Sequence, residues 1–411
     1  MRVAIIDACI PLSKQESQGM AALWLRYELM KRKHDICPLE SSDIIFITCV
    51  APEQYKLVAR IQKENKNKRI YVGGSASTTP TIFMEHCSGV CVGDGQMFID
   101  TITKRGIESA ESLSNVLTKD KTTVSIDQAF PYDAPPIQCE DGAYRLWCGR
   151  GCKNKCMFCQ TGWAYKYSEN PNPAKLIYDA KSLLKSGKRI NYLSNDTTQH
   201  SFHDLLPRVE HGSFSFKYMQ KYGLPAARQV RLGVEGVSER LRNLMLKPIA
   251  HDDLVKCTAW LNANKRSVRW FMIAGLPTET SDDWEELKEA IQEWKAMTQK
   301  GVLAISFTAW RPSPATPIGI CPISDEYHEH FLKFKEWFFA GRGWSNRVKI
   351  MFPQDPKNRI LSALSEMNTT RDDLYRGGNW GPNNIVDYPY KTQRNKLSNR
   401  LTLCPAKPAM K

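Results

Sequence analysis

The sequence predicts an α/β protein: an N-terminal doubly wound parallel sheet, then a partial (β/α)6 barrel, then a small C-terminal α-rich segment. Two runs of buried-type strands alternating with amphipathic helices predict it. One fills the first hundred or so residues and the other follows residue 142. Between them the proline-rich "AFPYDAPP" marks a linker. The expected boundaries are 1–125 for the first domain, 126–141 for the linker, 142–322 for the barrel and 323–411 for the last segment.

In the first domain "RVAIID" reads as a buried strand and "GMAALWLRYELMKRK" has helical apolar spacing. "DIIFITCV" and "PEQYKLVARIQKEN" repeat the strand–helix pair. "KRIYVGG" and "GVCVGDG" are strands that end in glycine turns. Strands alternating with helices imply a parallel sheet with any site at the carboxyl ends of its strands. No G-x-G-x-x-G follows the first strand, so a dinucleotide is not supported. In the barrel "RINYLSND", "ARQVRLGVEG", "SVRWFMIAGLP" and "VLAISFTAW" are strands. "PAKLIYDAKSLLKSG", "SERLRNLMLK" and "SDDWEELKEAIQEWKAM" are helices, the last with Ser281 expected as N-cap.

Among the 411 residues no uncharged apolar run approaches a membrane span. The N-terminus "MRVAIIDACIPLSK" reads as a strand rather than a signal peptide, so a cytoplasmic protein is expected. In a reducing cytosol the 13 cysteines stay thiols, and those in apolar strands, such as Cys9 and Cys49, read as small buried hydrophobes. The net charge of +14 favours polyanionic partners, against the plainer reading of solvated lysines on helix faces.

The informative stretch is "LWCGRGCKNKCMFCQTGW", which carries Cys148, Cys152, Cys156 and Cys159. Only Cys156 and Cys159 form a C-x2-C, and no second pair or nearby histidine closes a structural zinc site, although Cys148 leaves zinc open as an alternative. A cubane iron–sulfur cluster normally takes four thiolates, and three leave one iron open.

In "RGCKNKCMFC" the C-x3-C-x2-C at Cys152, Cys156 and Cys159 resembles the cluster-binding signature of the radical S-adenosylmethionine (radical SAM) superfamily. The resemblance implies a 4Fe-4S cluster on those three cysteines. It also implies S-adenosylmethionine (SAM) chelated to the open iron, a 5′-deoxyadenosyl radical after reduction, and an external electron donor of the flavodoxin or ferredoxin type. Cys148 falls outside the pattern, as packing or as a thiol near the cluster. Other pieces occur in the family's order: "YLSND", "RLGVEGVSERLRNLMLKP", "FMIAGLPTET" and "RPSPATPI". They make Asn195 and Asp196 the expected contacts to the SAM amino group, in place of a Gly-Gly-Glu. Glu235 becomes a further SAM contact, and Phe158 packs beside the adenine or the barrel wall. Each has a plainer reading: Asp196 as a turn cap, Glu235 as a strand-end acid. His200 and His203 could face the cavity, though loop histidines are commonly solvated.

A doubly wound domain ahead of such a barrel resembles the cobalamin-binding-domain radical SAM enzymes. "YVGGSAS" and "VCVGDGQMFI" look like that domain's turns, with Asp94 in the acidic position. No D-x-H-x-x-G follows the first strand, so no histidine is placed to ligate cobalt, and a cobalamin-loaded domain and an empty scaffold both stay open.

For the substrate, the charge and the last segment favour a nucleobase, in a nucleotide or a nucleic acid. From residue 325 that segment has fifteen Lys and Arg against nine Asp and Glu. It interleaves Trp337, Phe338, Phe339, Trp344 and Trp380 with Arg342, Arg347, Lys349, Arg376 and Arg394, although most of these aromatics could simply be core. The loop "RGGNWGPNN" would suit covering a cavity. A compact basic enzyme of this type would suit isomerisation of a glycyl-type adduct on thymidine in viral DNA hypermodification. The alternatives are a cobalamin-type radical SAM methyltransferase or rearrangement enzyme acting on a small metabolite or peptide, and a non-enzymatic nucleic-acid-binding protein with a structural cluster. Peptide maturases generally carry extra C-terminal cysteines, and only Cys321 and Cys404 lie beyond residue 300.

Overall fold

The computed structural model describes residues 1–351 and 386–387, apart from 51–53, 122, 127–133, 210–212, 226, 299, 311–312, 314–315, 322–325 and 342–346. Over the described residues the chain forms two compact units, one of residues 1–153, 160–206 and 386–387, the other of 154–159 and 207–351. This division differs from the expected segmentation. The strands just before and after the cysteine stretch belong with the N-terminal sheet, and residues 154–159 belong with the later strands. Much of the linker and most of the segment after 351 lie outside the described residues.

The first unit begins with β1 (Arg2–Asp7), α1 (Met20–Lys31), β2 (Asp35–Ile36), β3 (Ile44–Thr48), α2 (Tyr55–Glu64) and β4 (Arg69–Gly73). It continues with α3 (Thr81–Met84), β5 (Gly89–Cys91), α4 (Gln96–Arg105), α5 (Ile107–Glu111) and β6 (Val116–Leu117). The sheet order is β2-β1-β3-β4-β5-β6, parallel except for antiparallel β6. Its first five strands follow the flavodoxin-like doubly wound order, whose switch point lies between β1 and β3. The strands are buried on both faces, as an all-parallel sheet requires: β3 is buried at every position, and Val3, Ile45 and Val90 are fully inaccessible. Phe46, Tyr71 and Phe98 pack edge-to-face and tilted at centroid separations of 5.2–6.1 Å.

The same unit holds β7 (Val124–Ser125), β8 (Ile137–Gln138), β9 (Tyr144–Trp147), β10 (Gly149–Arg150), α6 (Gln160–Ala164), β11 (Ser168–Glu169), α7 (Pro173–Lys185) and β12 (Ile190–Leu193). β12 lies parallel to β9, with Leu193 beside Trp147, so both strands deliver their loops to one end. The short strand Val386–Asp387 pairs with β7.

The second unit is built on a parallel sheet of β13 (Ser213–Phe214), β14 (Gln229–Glu235), β15 (Ser267–Ala274), β16 (Leu303–Ala309) and β17 (Val348–Met351) in sequential order. Between them run α8 (Phe216–Tyr222), α9 (Glu239–Leu244), α10 (His251–Ala263), α11 (Ser281–Met297) and α12 (Glu326–Ala340). β15 alternates half-buried and buried residues along its whole length, so one face meets helices and the other does not. On the helix face Trp270 Nε1 donates to Thr258 of α10 at 3.0 Å, and Trp284 of α11 stacks obliquely on Phe307 at 5.6 Å. The N-cap of α11 is Thr280, one residue before the expected Ser281. Its N–H donates to the Asp283 carboxylate at 2.8 Å, and a capping box of this kind outcompetes a lone serine. β17 was not foreseen: the barrel-type sheet runs on into the segment read as C-terminal.

Gly74, after β4, has φ +93°, and a Cβ there would lie 2.4 Å from the Cys49 carbonyl oxygen. Gly74→Ala should therefore cost roughly 3 kcal/mol, from strain plus displacement of the β3–β4 ladder. Urea denaturation would measure it, and an unchanged midpoint would contradict this packing.

Candidate functional site

The cysteine stretch is divided between the two units, and each part is fixed within its own unit. Gly151 (φ +69°) lets the chain turn where a Cβ would sit 2.5 Å from the Lys166 carbonyl oxygen. Cys152 is buried, and Gln199 clamps it: its Nε2 donates to Cys152 Sγ at 3.2 Å while its Oε1 accepts from the Lys153 N–H at 2.6 Å. In the second unit Met157, 1% exposed, anchors the loop by donating its N–H to the Met245 carbonyl at the end of α9 (3.0 Å). The Cys159 N–H closes a turn on the Cys156 carbonyl at 3.1 Å. Cys156, Phe158 and Cys159 are half-buried. Among the described residues no group of three or more His, Cys, Asp or Glu is close enough to hold a metal, and the three expected ligands are divided between the units. Their donor chemistry nonetheless suits an iron–sulfur cluster, being thiols alone with a side-chain amide already aimed at one sulfur. Cys148 differs from them. It is fully buried, and burial pushes its thiol up to about 12, which favours the protonated form.

Behind Gln199 stands a buried network that sequence reading missed. His200 is 5% exposed, not solvated. Its Nε2 meets Ser194 Oγ at 2.8 Å and its Nδ1 meets Tyr167 Oη at 2.9 Å. Burial lowers its pKa, which keeps the ring neutral. Tyr167 and Phe202 stack on its two sides. The loop 194–200 is thereby fixed against the turn that carries Cys152.

Asn195, exposed after β12, donates to the Gly151 carbonyl at 3.4 Å. The Asp196 carboxylate accepts from Thr198 N–H and Oγ1 at 3.0 and 2.6 Å, capping the turn that follows. Asn195 is therefore the freer of the two to meet a ligand. Glu235 ends β14 at a bulge with φ +72°, a strained conformation for a non-glycine residue. Lys247 Nζ holds its carboxylate at 2.6 Å, and the pair lies over Gly233, where a Cβ would come within 2.7 Å of Nζ. Lys247 sits in the quoted "RLGVEGVSERLRNLMLKP" but was not singled out there.

Asp94, in the glycine turn after β5, pairs with Arg150 at 2.7 Å and is 5% exposed. The Arg150 guanidinium also stacks on Tyr165, 3.8 Å from its ring centroid. Beside Arg150 opens a cavity of about 740 Å³ within the first unit. Asp7 and Cys9 at the end of β1, Thr48 and Val50 at the end of β3, and Gly74 and Ser75 after β4 line one wall; Trp147, Gly149, Arg150, Ser194 and Asn195 line the other. It occupies the switch point between β1 and β3, where doubly wound sheets bind ligands. Small residues (Gly19, Ala21, Gly74, Ser75) form part of its lining. Among the described residues no histidine lines it.

No family model matches the chain. Its fold is that of cobalamin-dependent radical SAM enzymes, as solved structures show. The chain is similar over 97% of its length, and 98% of the other, to the radical SAM methyltransferase TsrM of Kitasatospora setae with cobalamin and a 4Fe-4S cluster bound (TM-score 0.60, 12% identity). A second TsrM structure, with tryptophan substrate and the SAM analog aza-SAM bound, gives a TM-score of 0.61 at 11% identity. The cobalamin-dependent radical SAM enzyme OxsB follows at a TM-score of 0.53 and 13% identity, covering 90% of this chain and 62% of that one. In sequence the chain is 24% identical over 318 residues to the uncharacterized protein MJ0966 of Methanocaldococcus jannaschii, 68% of each. No described helix is long and apolar enough to cross a membrane.

The turn after β15 depends on Glu279, which is 6% exposed. It accepts from the Gly275 and Leu276 N–H groups at 2.9 and 3.3 Å and from Trp284 Nε1 at 2.9 Å. Burial pushes its carboxyl up to about 8. A folded pKa above the unfolded value of about 4.3 means that the unfolded chain releases its proton first. Stability should therefore decline as pH rises from about 5 to about 8 and level off above. Glu279→Gln should flatten that slope, and Glu279→Ala should cost about 3 kcal/mol by orphaning buried donors. Thermal melts across pH test this, and an E279Q slope like the wild type's would refute it.

Proposed function

We propose that the protein is a cobalamin-type radical SAM enzyme acting on a small molecule, of the methyltransferase or rearrangement class. The observation that carries this reading is the near end-to-end match to a fold of that class, with a cavity at the flavodoxin-like switch point beside the cysteine stretch. Cys152, Cys156 and Cys159 would hold a 4Fe-4S cluster, and the cavity would hold cobalamin. Together with SAM these groups supply radical or methyl-transfer chemistry that side chains cannot perform. The protein's own part is to position and shield. Gln199 orients Cys152, Asn195 offers an amide to SAM, and the strained Glu235–Lys247 pair presents a fixed charge pair at the end of β14. The half-buried Phe158, next to a ligand cysteine, gives an apolar surface for the adenine. An external flavodoxin- or ferredoxin-type donor would supply the electron.

The nucleobase reading, and with it the viral thymidine isomerase, rests on the net charge of +14 and on a segment mostly outside the described residues, so it ranks second. Trp344, Trp380, Arg342, Arg376, Arg394 and the loop 376–384 all lie there. In α12, Phe334 is core, buried against Trp284, and the half-buried Trp337 lies tilted against Phe334; Phe339 is exposed.

Anaerobic reconstitution of single variants tests the assignment. Alanine at Cys152, Cys156 or Cys159 should abolish the cluster absorbance and reductive SAM cleavage, and Cys148→Ala should retain both. Loss of the cluster in C148A would overturn the open-iron arrangement. Gln199→Leu should keep the cluster but lower its reduction potential by on the order of tens of millivolts, because one N–H···S bond is lost. An unchanged potential in a redox titration would show that Gln199 does not face a ligating sulfur.

A further inference from the structure

On the face of the second unit's sheet turned away from buried Leu232, Trp270 and Val348, residues of β14, β15 and β17 are half-buried or exposed, while those of β16 are buried. Register across neighbouring parallel strands decides what lies side by side on that face. Arg231 of β14 pairs with Arg269 of β15, Arg269 with Ala304 of β16, and Ala304 with Lys349 of β17. Paired residues of a parallel ladder point the same way, so Arg231, Arg269 and Lys349 form one cationic row. Burial agrees: each alternates with a buried neighbour that faces the helices, such as Leu232, Trp270 and Val348. Among the described residues none of the three has an acidic partner. Arg269 Nε is buried without an acceptor. The next row on the same face holds Gly233, Phe271, Ser306 and Met351. Ser306 is 5% exposed, and its hydroxyl also has no partner.

Two arginines on adjacent strands, roughly 5 Å apart at the backbone, repel each other and oppose folding. Arg231 and Lys349 reach solvent, which screens them, whereas Arg269 is half-buried, and its Nε and the Ser306 hydroxyl lack partners. One anion seated on the row would neutralise the cations and partner both groups.

We propose that this row binds the phosphate group of a phosphorylated small-molecule substrate. The charge count favours phosphate over carboxylate. A carboxylate's two oxygens satisfy a single guanidinium fork, whereas a phosphate monoester offers three terminal oxygens and close to two charges to three cations. Ala304, the small residue in the row, leaves room between Arg269 and Lys349, whose strands are about 10 Å apart. The Ser306 hydroxyl donates a further hydrogen bond. Arg231 lies four residues before Glu235, about 13 Å along β14, so the phosphate sits that far from the strand end. This rests on the proposed function, which places the reaction at the carboxyl ends of these strands, and it adds a substrate length and a charged anchor.

The test is titration of the full-length, reconstituted protein with inorganic phosphate by calorimetry, at constant ionic strength set with potassium chloride. Saturable binding is expected, weakened at least tenfold by Arg231→Gln and by Arg269→Gln, and about threefold by Lys349→Gln. Lys256→Gln, an exposed lysine of α10 paired with Asp252, should bind as the wild type does. Arg269→Lys keeps the charge without the guanidinium fork and should fall between wild type and R269Q, which covers the case in which R269Q does not fold. Absence of saturable phosphate binding, undiminished binding in R231Q and R269K, or acetate binding as tightly as phosphate would each overturn the proposal. SAM binding measured on the same samples separates the two claims. Phosphate binding can fail while SAM binding persists, and SAM cleavage can fail while phosphate still binds.

Discussion

The Asp94–Arg150 ion pair ties the two halves of the first unit together. Asp94 comes from the glycine turn that ends a strand of the doubly wound sheet; Arg150 sits two residues before Cys152. An aspartate buried to this degree needs its cation, and Arg150 is held in turn by the face of Tyr165. The pair therefore fixes Arg150, which lines the cavity two residues before Cys152. Gln199 and the His200 network complete the fixation from the β12 side, so the first thiol of the motif is held on two sides.

The remaining geometry follows from parallel strands. A parallel sheet sends every strand's carboxyl end to one edge, and the loops there meet around whatever the edge can bind. In the first unit that edge is the floor of the cavity. In the second it is the edge where Glu235, bent into a left-handed conformation and held by Lys247, and the Glu279-anchored turn lie. A strained residue and a buried carboxylate lie at those ends, whereas Arg231, Arg269 and Lys349 lie towards the opposite ends of β14, β15 and β17.

Much of this was legible in the sequence. Strand–helix alternation located β1, β3, β4 and β5, and later β12, β14, β15 and β16, because buried parallel strands are short apolar runs that glycine or proline turns punctuate. The cysteine spacing singled out the loop proposed to hold a cluster. Two-residue strands such as β2, β8 and β10 carry too few residues to show any period. Partnerships across a fold were also invisible: Asp94 with Arg150, Gln199 with Cys152, and the alignment of Arg231, Arg269 and Lys349. Each needs a register or a turn that only the folded chain supplies. Asp196 shows the reverse case, a motif residue whose carboxylate the fold uses to cap its own turn. His200 looked like a loop histidine because its burial comes from Tyr167 and Phe202, and Tyr167 lies thirty-three residues away.

The central claim is that three thiolates leave one iron open for SAM. Electron paramagnetic resonance of the reduced, anaerobically reconstituted protein, recorded with and without SAM, tests it most directly. The account predicts a 4Fe-4S signal whose g-values shift on adding SAM, saturating at one SAM per cluster. A spectrum that SAM leaves unchanged would show a fully ligated cluster and contradict it.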